Sequence, residues 1–255
     1  MGKYIIKDKN EIVKKIKEKK ELSGIAEKII QDSLDSYLKK YNLSVPDLSN
    51  KEIKFLVKEI RSELRRLTGQ YKIDFSKVSK EGKIDADKFL ASHKSTSERK
   101  DFYPQLKKFI SALKIKSILD LGCGLNPLAL AEKGVEYYAS DIDEKELAII
   151  KKFFKQNKIK GKVFVCDIRK IKNDLPKTDL CLIFKVLEIV NKNLSEKILS
   201  TIPSKKILAS FATKKLSGKR MTHPERSWFE KILERNNWKY EKIYSENEIF
   251  YYILK

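Results

Sequence analysis

A strand-like apolar run from Lys116 to Leu121 carries the acid Asp120 and leads into Gly122-Cys123-Gly124-Leu125-Asn126-Pro127. Two glycines one residue apart let the backbone approach a ligand closely before a helix begins. A dinucleotide fingerprint would need a third glycine where this chain has Pro127. With no diphosphate to cradle, the loop fits the amino-acid end of S-adenosylmethionine better than NAD. No GxxxxGK[ST] segment is present, which disfavours ATP hydrolysis. Two more acids stand in register with the loop. Asp141 closes the next strand-like run about twenty residues on, where ribose hydroxyls would be accepted. Asp167 closes the third, placed for an adenine amino group with Ile168 against the ring.

Those acids need a sheet to hold them. Lys116–Leu121, Tyr137–Asp141, Lys162–Asp167, Asp179–Phe184 and Lys206–Phe211 read as buried strands, and helical patterns separate most of them. A parallel α/β sheet follows. Lys239–Tyr244 and Ile249–Leu254 around Ser245-Glu246-Asn247-Glu248 read as a closing antiparallel hairpin. This layout predicts a class I, Rossmann-like methyltransferase fold of seven mostly parallel strands over residues 101–255. Residues 1–100 are expected to form a helical N-terminal domain and linker. Three helices are predicted there, near Glu11–Lys20, Ile25–Tyr41 and after the capping-box spacing Ser49-Asn50-Lys51-Glu52. Residues 69–100 read as linker, with one short helix around Asp85–Ala91.

The formal net charge of +21 favours a polyanionic partner, most commonly nucleic acid. On the third helix Lys54, Lys58, Arg61 and Arg65 share one sector, while Glu52, Glu59 and Glu63 share another. A helix needing only solubility would mix its signs, so the cationic sector is expected to face phosphate. Lys214, Lys215, Lys219 and Arg220 flank Gly218 in a second candidate phosphate-facing loop. No run approaches the ~18 apolar residues of a membrane span, the first residues lack a signal-peptide core, and a cytoplasmic monomer is the expectation. No CxxC pair exists and there are only two histidines, so no metal site is expected.

Absences narrow the chemistry. Methylating a pyrimidine carbon usually needs a cysteine nucleophile, and Cys123, Cys166 and Cys181 all sit inside apolar segments. Methylating an exocyclic amine usually goes with an Asn/Asp-Pro-Pro-aromatic loop, but Ile183-Phe184-Lys185-Val186-Leu187 stands there. A ring nitrogen such as guanine N7 already offers a lone pair and needs only alignment with the methyl.

The run Asp120–Leu130, preceded by His93-Lys94-Ser95-Thr96-Ser97-Glu98-Arg99, resembles the Arm/Rmt family of aminoglycoside-resistance 16S rRNA (guanine-N7) methyltransferases. Ser210-Phe211, Leu216–Met221 and Trp228-Phe229-Glu230 are similar to that family's segment after the fifth strand. Lys185 is followed by Val186-Leu187-Glu188-Ile189, where the family tends to carry a proline and Leu-Glu-Gln. The resemblance implies that Arg99 grips the cofactor carboxylate and that Gly122 and Gly124 line its methionine part. His93, Asn126, Ile142, Phe184 and Lys185 would border the pocket, with Asp120, Asp141, Asp167 and Ile168. It implies docking on 16S rRNA in the 30S subunit, at the decoding centre, with drug resistance as a consequence. Phe102, Tyr103 and Phe211 are candidates to support a flipped base. The residues alone leave two other readings open: a class I methyltransferase with another RNA or small-molecule substrate, and a non-catalytic rRNA-binding assembly factor.

Overall fold

The computed structural model describes residues 8–68, 83–171, 173–214 and 217–255. The chain divides into two compact units, Met1–Lys72 with Ile142–Lys145, and Ile73–Asp141 with Glu146–Lys255.

The first unit holds α1 (Lys9–Lys17), α2 (Glu27–Tyr41) and α3 (Asn50–Thr68). Ile53, Leu56, Val57, Ile60 and Leu64 recur at helical spacing and are buried with Ile12, Ile16, Ile29, Ile30 and Leu34. A nine-residue helix such as α1 is marginal alone; burying each large aliphatic side chain contributes about 1.5–3 kcal/mol. The capping box expected before α3 forms. Ser49 N–H donates to Glu52 Oε2 at 2.8 Å, and Glu52 N–H to Ser49 Oγ at 3.4 Å. Asn42, left-handed at φ +50°, ends α2.

The second unit opens with α4 (Ala86–Ser92), α5 (Lys94–Arg99) and α6 (Tyr103–Ala112). Asp85 caps α4 by accepting Lys88 N–H at 3.3 Å. Ile84, Phe89 and Leu90 pack into the core beneath the sheet, so this part of the expected linker goes with the second unit. Residues 69–82 of that linker lie outside the described residues. Then follow β1 (Ser117–Leu121), α7 (Pro127–Leu130), β2 (Glu136–Asp141), α8 (Glu144–Asn157), β3 (Gly161–Val165), β4 (Leu180–Phe184), α9 (Lys192–Thr201), β5 (Lys206–Ala212), α10 (Ser227–Arg235), β6 (Lys239–Tyr244) and β7 (Glu248–Leu254).

The strands form one sheet in the order β3-β2-β1-β4-β5-β7-β6. Neighbours through β5 are parallel, whereas β7 runs antiparallel to both β5 and β6. Alternation splits each strand between two cores. Leu180, Leu182 and Phe184 pack on one face with Leu106, Ile110 and Ile150. Cys181 and Ile183 pack on the other with Ile198, Leu199, Phe229 and Leu233. Strand order reverses between β1 and β4, and ligands of such sheets bind at the carboxyl ends beside that reversal.

Candidate active site

The loop after β1 is held open by two glycines in the left-handed region, Gly122 at φ +63° and Gly124 at φ +48°. A Cβ on Gly122 would lie 2.5 Å from Val186 Cγ2, and one on Gly124 would lie 3.4 Å from the His93 ring. Backbone and acid fasten the loop from the β2 side. Cys123 N–H donates to the Ser140 carbonyl at 2.9 Å, and Gly124 N–H to Asp141 Oδ2 at 2.9 Å. Asp141 therefore shapes the loop with one oxygen, a role the spacing argument had not assigned.

Asp120 is fully buried at the loop's entry. Its Oδ2 accepts the Tyr137 hydroxyl at 2.7 Å, while Oδ1 has no hydrogen-bond partner among the described residues. Burial pushes its carboxyl up to about 7, against the Tyr137 hydrogen bond and the Arg99 charge. The folded chain thus keeps a proton that the unfolded chain loses near its ordinary 3.8. Its contribution to stability is complete below that value and disappears as pH rises to about 7. Asp120→Asn has no such proton. In urea denaturation its stability relative to the parent is expected to climb from about pH 4 to 7 and then level off; a flat difference across that range would refute the protonated Asp120.

Arg99 is the largest fully buried side chain. It closes α5, a six-residue helix pinned by Thr96, whose hydroxyl donates to the Leu90 and His93 carbonyls at 2.7 and 3.0 Å. Its Nη2 donates to Glu248 Oε2 at 2.8 Å, and its Nη1 to Asn126 Oδ1 at 2.5 Å. The Tyr103 hydroxyl donates to the same Asn126 oxygen at 2.7 Å. The guanidinium lies over the Phe184 ring at 4.8 Å. Arg99 Nε is buried with no hydrogen-bond partner among the described residues. Lys185, left-handed at φ +60° where β4 ends, pairs with Glu98 at 2.8 Å and with Glu248 at 3.3 Å. Ser210 donates to Glu248 Oε2 at 2.6 Å. Burial alone would lower the Arg99 pKa, but Glu248 outweighs burial and raises it. Burial likewise opposes the Glu248 charge, and Arg99 with Lys185 holds its carboxyl below the usual value.

His93 is buried, with Nε2 3.6 Å from Glu146 Oε1. Burial, reinforced by Arg99 and Lys185, pushes its imidazole down to about 4, so it is neutral at pH 7. Asp167 does not end β3, which stops at Val165. It caps the turn Ile168–Lys170, accepting Arg169 N–H at 2.9 Å and pairing with the Arg169 guanidinium at 2.7 Å. Ile168 is buried in the α9–α10 core. Ile142 belongs to the first unit and packs, partly buried, on its helices. Two aromatic candidates are corrected. Phe211 is enclosed by Trp228, Phe229 and Tyr251, and Tyr103 is buried with its hydroxyl committed. Phe102 stacks on Phe250 with ring centroids 5.3 Å apart. The thiols of Cys123 and Cys181 are raised by burial, and that of Cys166 is pushed up to about 11. None is a thiolate nucleophile at neutral pH.

The cationic sector of α3 is divided by the structure. Lys54 and Lys58 are exposed. Arg61 instead bonds the Lys15 carbonyl and lies 3.7 Å from Glu18. Arg65 donates twice to Glu21 Oε1, at 3.0 and 2.8 Å. These two guanidinium groups tie α3 to the segment around α1. In the second loop Lys214 pairs with Glu246 at 2.8 Å, Lys219 and Arg220 are exposed, and Lys215 lies outside the described residues.

Residues 81–253 match the family model described as ribosomal RNA methyltransferase (FmrO). The chain belongs to this family. Among its relatives, the 16S rRNA (guanine(1405)-N(7))-methyltransferase of Serratia marcescens is 30% identical over 225 residues, covering 79% of this chain and 88% of the relative. The corresponding enzyme of Micromonospora echinospora is 27% identical over 179 residues, 65% of this chain; the match spans 64% of that relative's length. The fold matches the 16S rRNA methylase RmtB with a TM-score of 0.76, at 24% identity over 98% of this chain and 99% of that one. It matches RmtF in complex with S-adenosyl-L-homocysteine with a TM-score of 0.75, at 17% identity over 97% and 99%.

In this FmrO-family chain Glu248, Glu98, Glu146 and Tyr137 join the site without having been singled out from sequence. Glu248 opens β7, 149 residues from Arg99, and its surroundings in sequence read only as a hairpin turn. Tyr137 was counted as a strand residue, and nothing local marks its hydroxyl as the partner of Asp120.

Proposed function

We propose that this chain is an S-adenosylmethionine-dependent 16S rRNA (guanine-N7)-methyltransferase that acts, as a monomer in the cytoplasm, on the decoding centre of the assembled 30S subunit. What carries the reading is the glycine loop beside the strand-order reversal, where Asp120 Oδ1 and Arg99 Nε are both buried without hydrogen-bond partners among the described residues. An acceptor and a donor left unsatisfied in a closed site cost free energy unless a ligand meets them. The ammonium and carboxylate of the methionine moiety are groups of the complementary kinds. Gly122 and Gly124 keep side chains off the approach, while Asp141, Asp167 and Ile168 would serve the ribose and adenine.

When bound, the cofactor supplies a methyl group on a sulfonium. Guanine N7, which already carries a free lone pair, would be the acceptor of that methyl, with Asp120, Gly122, Gly124 and Arg99 holding the cofactor. No proton has to leave, so no general base is required. The residues' task is alignment and exclusion of water. Neutral His93 and the mutually paired Arg99, Glu248 and Lys185 fit that task, since none is poised to take a proton at pH 7.

The test is tritium transfer from labelled cofactor to purified 30S subunits and to naked 16S rRNA, followed by borohydride–aniline cleavage. Incorporation into 30S with a cut at the position matching guanine 1405 is expected, as is raised aminoglycoside tolerance in cells expressing the chain. Label without a cleavage site would exclude guanine N7. The first unit is expected to dock on rRNA through Lys54 and Lys58. Lys54→Glu with Lys58→Glu should weaken 30S binding and lower the salt slope by roughly 1.5, at about 0.7–0.9 per phosphate contact, with unchanged melting. Arg61→Ala should instead lower the melting temperature, because it leaves the Lys15 carbonyl and Glu18 without their partner. Equal salt slopes for parent and double variant would remove the docking role.

A further inference from the structure

The far edge of the sheet carries a concentration of charge that the methyl-transfer site does not use. Between Glu146 and Asp167 the chain has no acid, yet it has Lys151, Lys152, Lys155, Lys158, Lys160 and Lys162. All six are exposed. Among the described residues none of them forms an ion pair, in contrast to Arg61, Arg65 and Lys214.

The local structure gathers them. The C-terminal end of α8 closes in a Schellman turn: Ile159 N–H donates to the Phe154 carbonyl at 2.9 Å and Lys158 N–H to that of Lys155 at 3.4 Å. Lys158 sits there at φ +55°, in a position that ordinarily takes glycine. The chain then turns directly into β3, the outermost strand on this side. Lys151, Lys155 and Lys162 line a groove of about 670 Å3 with Tyr138, Phe154 and Phe164. Lys162 stands opposite Tyr138 in the β2–β3 register, and Phe164 lies two residues along on the same face. The acids nearby are Asp174, on the groove wall, and Glu136, hydrogen-bonded to the Tyr138 hydroxyl. Phe154 is buried in the core, but the half-buried rings of Tyr138 and Phe164 amid unpaired lysines match the build of single-strand RNA sites, where a cationic groove follows the backbone and rings accept stacked bases.

We infer that the α8–β3 edge is a second RNA-binding surface, lying on the catalytic unit itself and taking a phosphodiester backbone along Lys151, Lys155 and Lys162. The groove follows β3 from Gly161 to Phe164 at the outer edge of the sheet, whereas the glycine loop leaves β1, two strands inward. It therefore serves nucleotides other than the one being methylated. The inference rests on the rRNA reading proposed above.

The experiment compares the parent, Lys151→Glu/Lys155→Glu/Lys162→Glu, and a charge-matched control, Lys107→Glu/Lys108→Glu/Lys133→Glu. Affinity for 30S subunits and for naked 16S rRNA is measured by filter binding from 50 to 300 mM KCl, with cofactor affinity by calorimetry and melting alongside. For the groove variant, a loss of at least tenfold on both RNAs is expected, with the salt slope reduced by about 2–3, as three phosphate contacts require. The control should lose less than threefold, and cofactor affinity and melting should not change. Equal losses in the two variants would overturn the inference, since net charge alone would then explain them. So would a loss on 30S with none on naked rRNA, which would assign the surface to a ribosomal protein. If the parent neither binds nor methylates rRNA, it is the functional reading that fails.

Discussion

Glu248→Ala is expected to cost about 3–5 kcal/mol of stability, because removing one partner of a buried ion pair strands the charge that remains. Here Arg99 loses its carboxylate partner, while Lys185 keeps its pair with Glu98 at 2.8 Å. Arg99 and Lys185 reach Glu248 at 2.8 and 3.3 Å, and the Arg99 and Glu248 side chains are each only 1% exposed. Such a loss is a large part of the 5–15 kcal/mol typical of a folded domain. Cofactor binding should fall with it, since Arg99 also fixes Asn126 at the start of α7. Glu248→Gln separates charge from packing. The folded-state carboxyl titrates below its ordinary 4.5, so its contribution is present above that value and lost as pH falls through the depressed one. In urea denaturation the gap between parent and Glu248→Gln should be widest near neutrality and narrow as pH drops below about 4.5. A gap under about 0.5 kcal/mol at pH 7 would mean that the cluster breaks even against its desolvation.

Gly122→Ala should have the second largest effect. An L-residue at φ +63° costs about 1–2 kcal/mol, and the new methyl, 2.5 Å from Val186 Cγ2, adds about 1–3 kcal/mol of overpacking. Cofactor affinity should drop at least thirtyfold, because the loop cannot shift without losing the Cys123 and Gly124 hydrogen bonds to β2. Combining it with Val186→Ala relieves the contact but not the backbone strain. A double-mutant cycle should therefore return a favourable interaction energy of about 1–2 kcal/mol, while affinity stays low. Strict additivity of the two changes would show that the clash is not what makes Gly122 necessary.

The fold was legible because its signals are local. Leu180–Phe184 is apolar at every position and Ile118–Leu121 at every position but Asp120, as strands covered on both faces require, and Ser49 with Glu52 announces a helix within four residues. The glycine loop was legible for the same reason, since Gly122 and Gly124 answer to a backbone shape rather than to a distant partner. Helix α5 was missed because six residues with no apolar period leave no trace, and it is fastened by Thr96 and Arg99 to atoms elsewhere.

What the sequence determined by itself is the order of elements, the bare-backbone loop, the acids set about it and the excess of lysine. Only the tertiary structure decided which charges are spent. It gave Arg61 and Arg65 to the packing of α3, left Lys54 and Lys58 in solvent, paired Asp167 with Arg169, and turned Asp141 onto the glycine loop. It brought Glu248 to Arg99 by inserting β7 antiparallel between β5 and β6. Periodicity and capping act over a few residues and can be read along the chain. Ion pairing and desolvation depend on which side chains meet inside a low-dielectric core, and long-range strand order sets that.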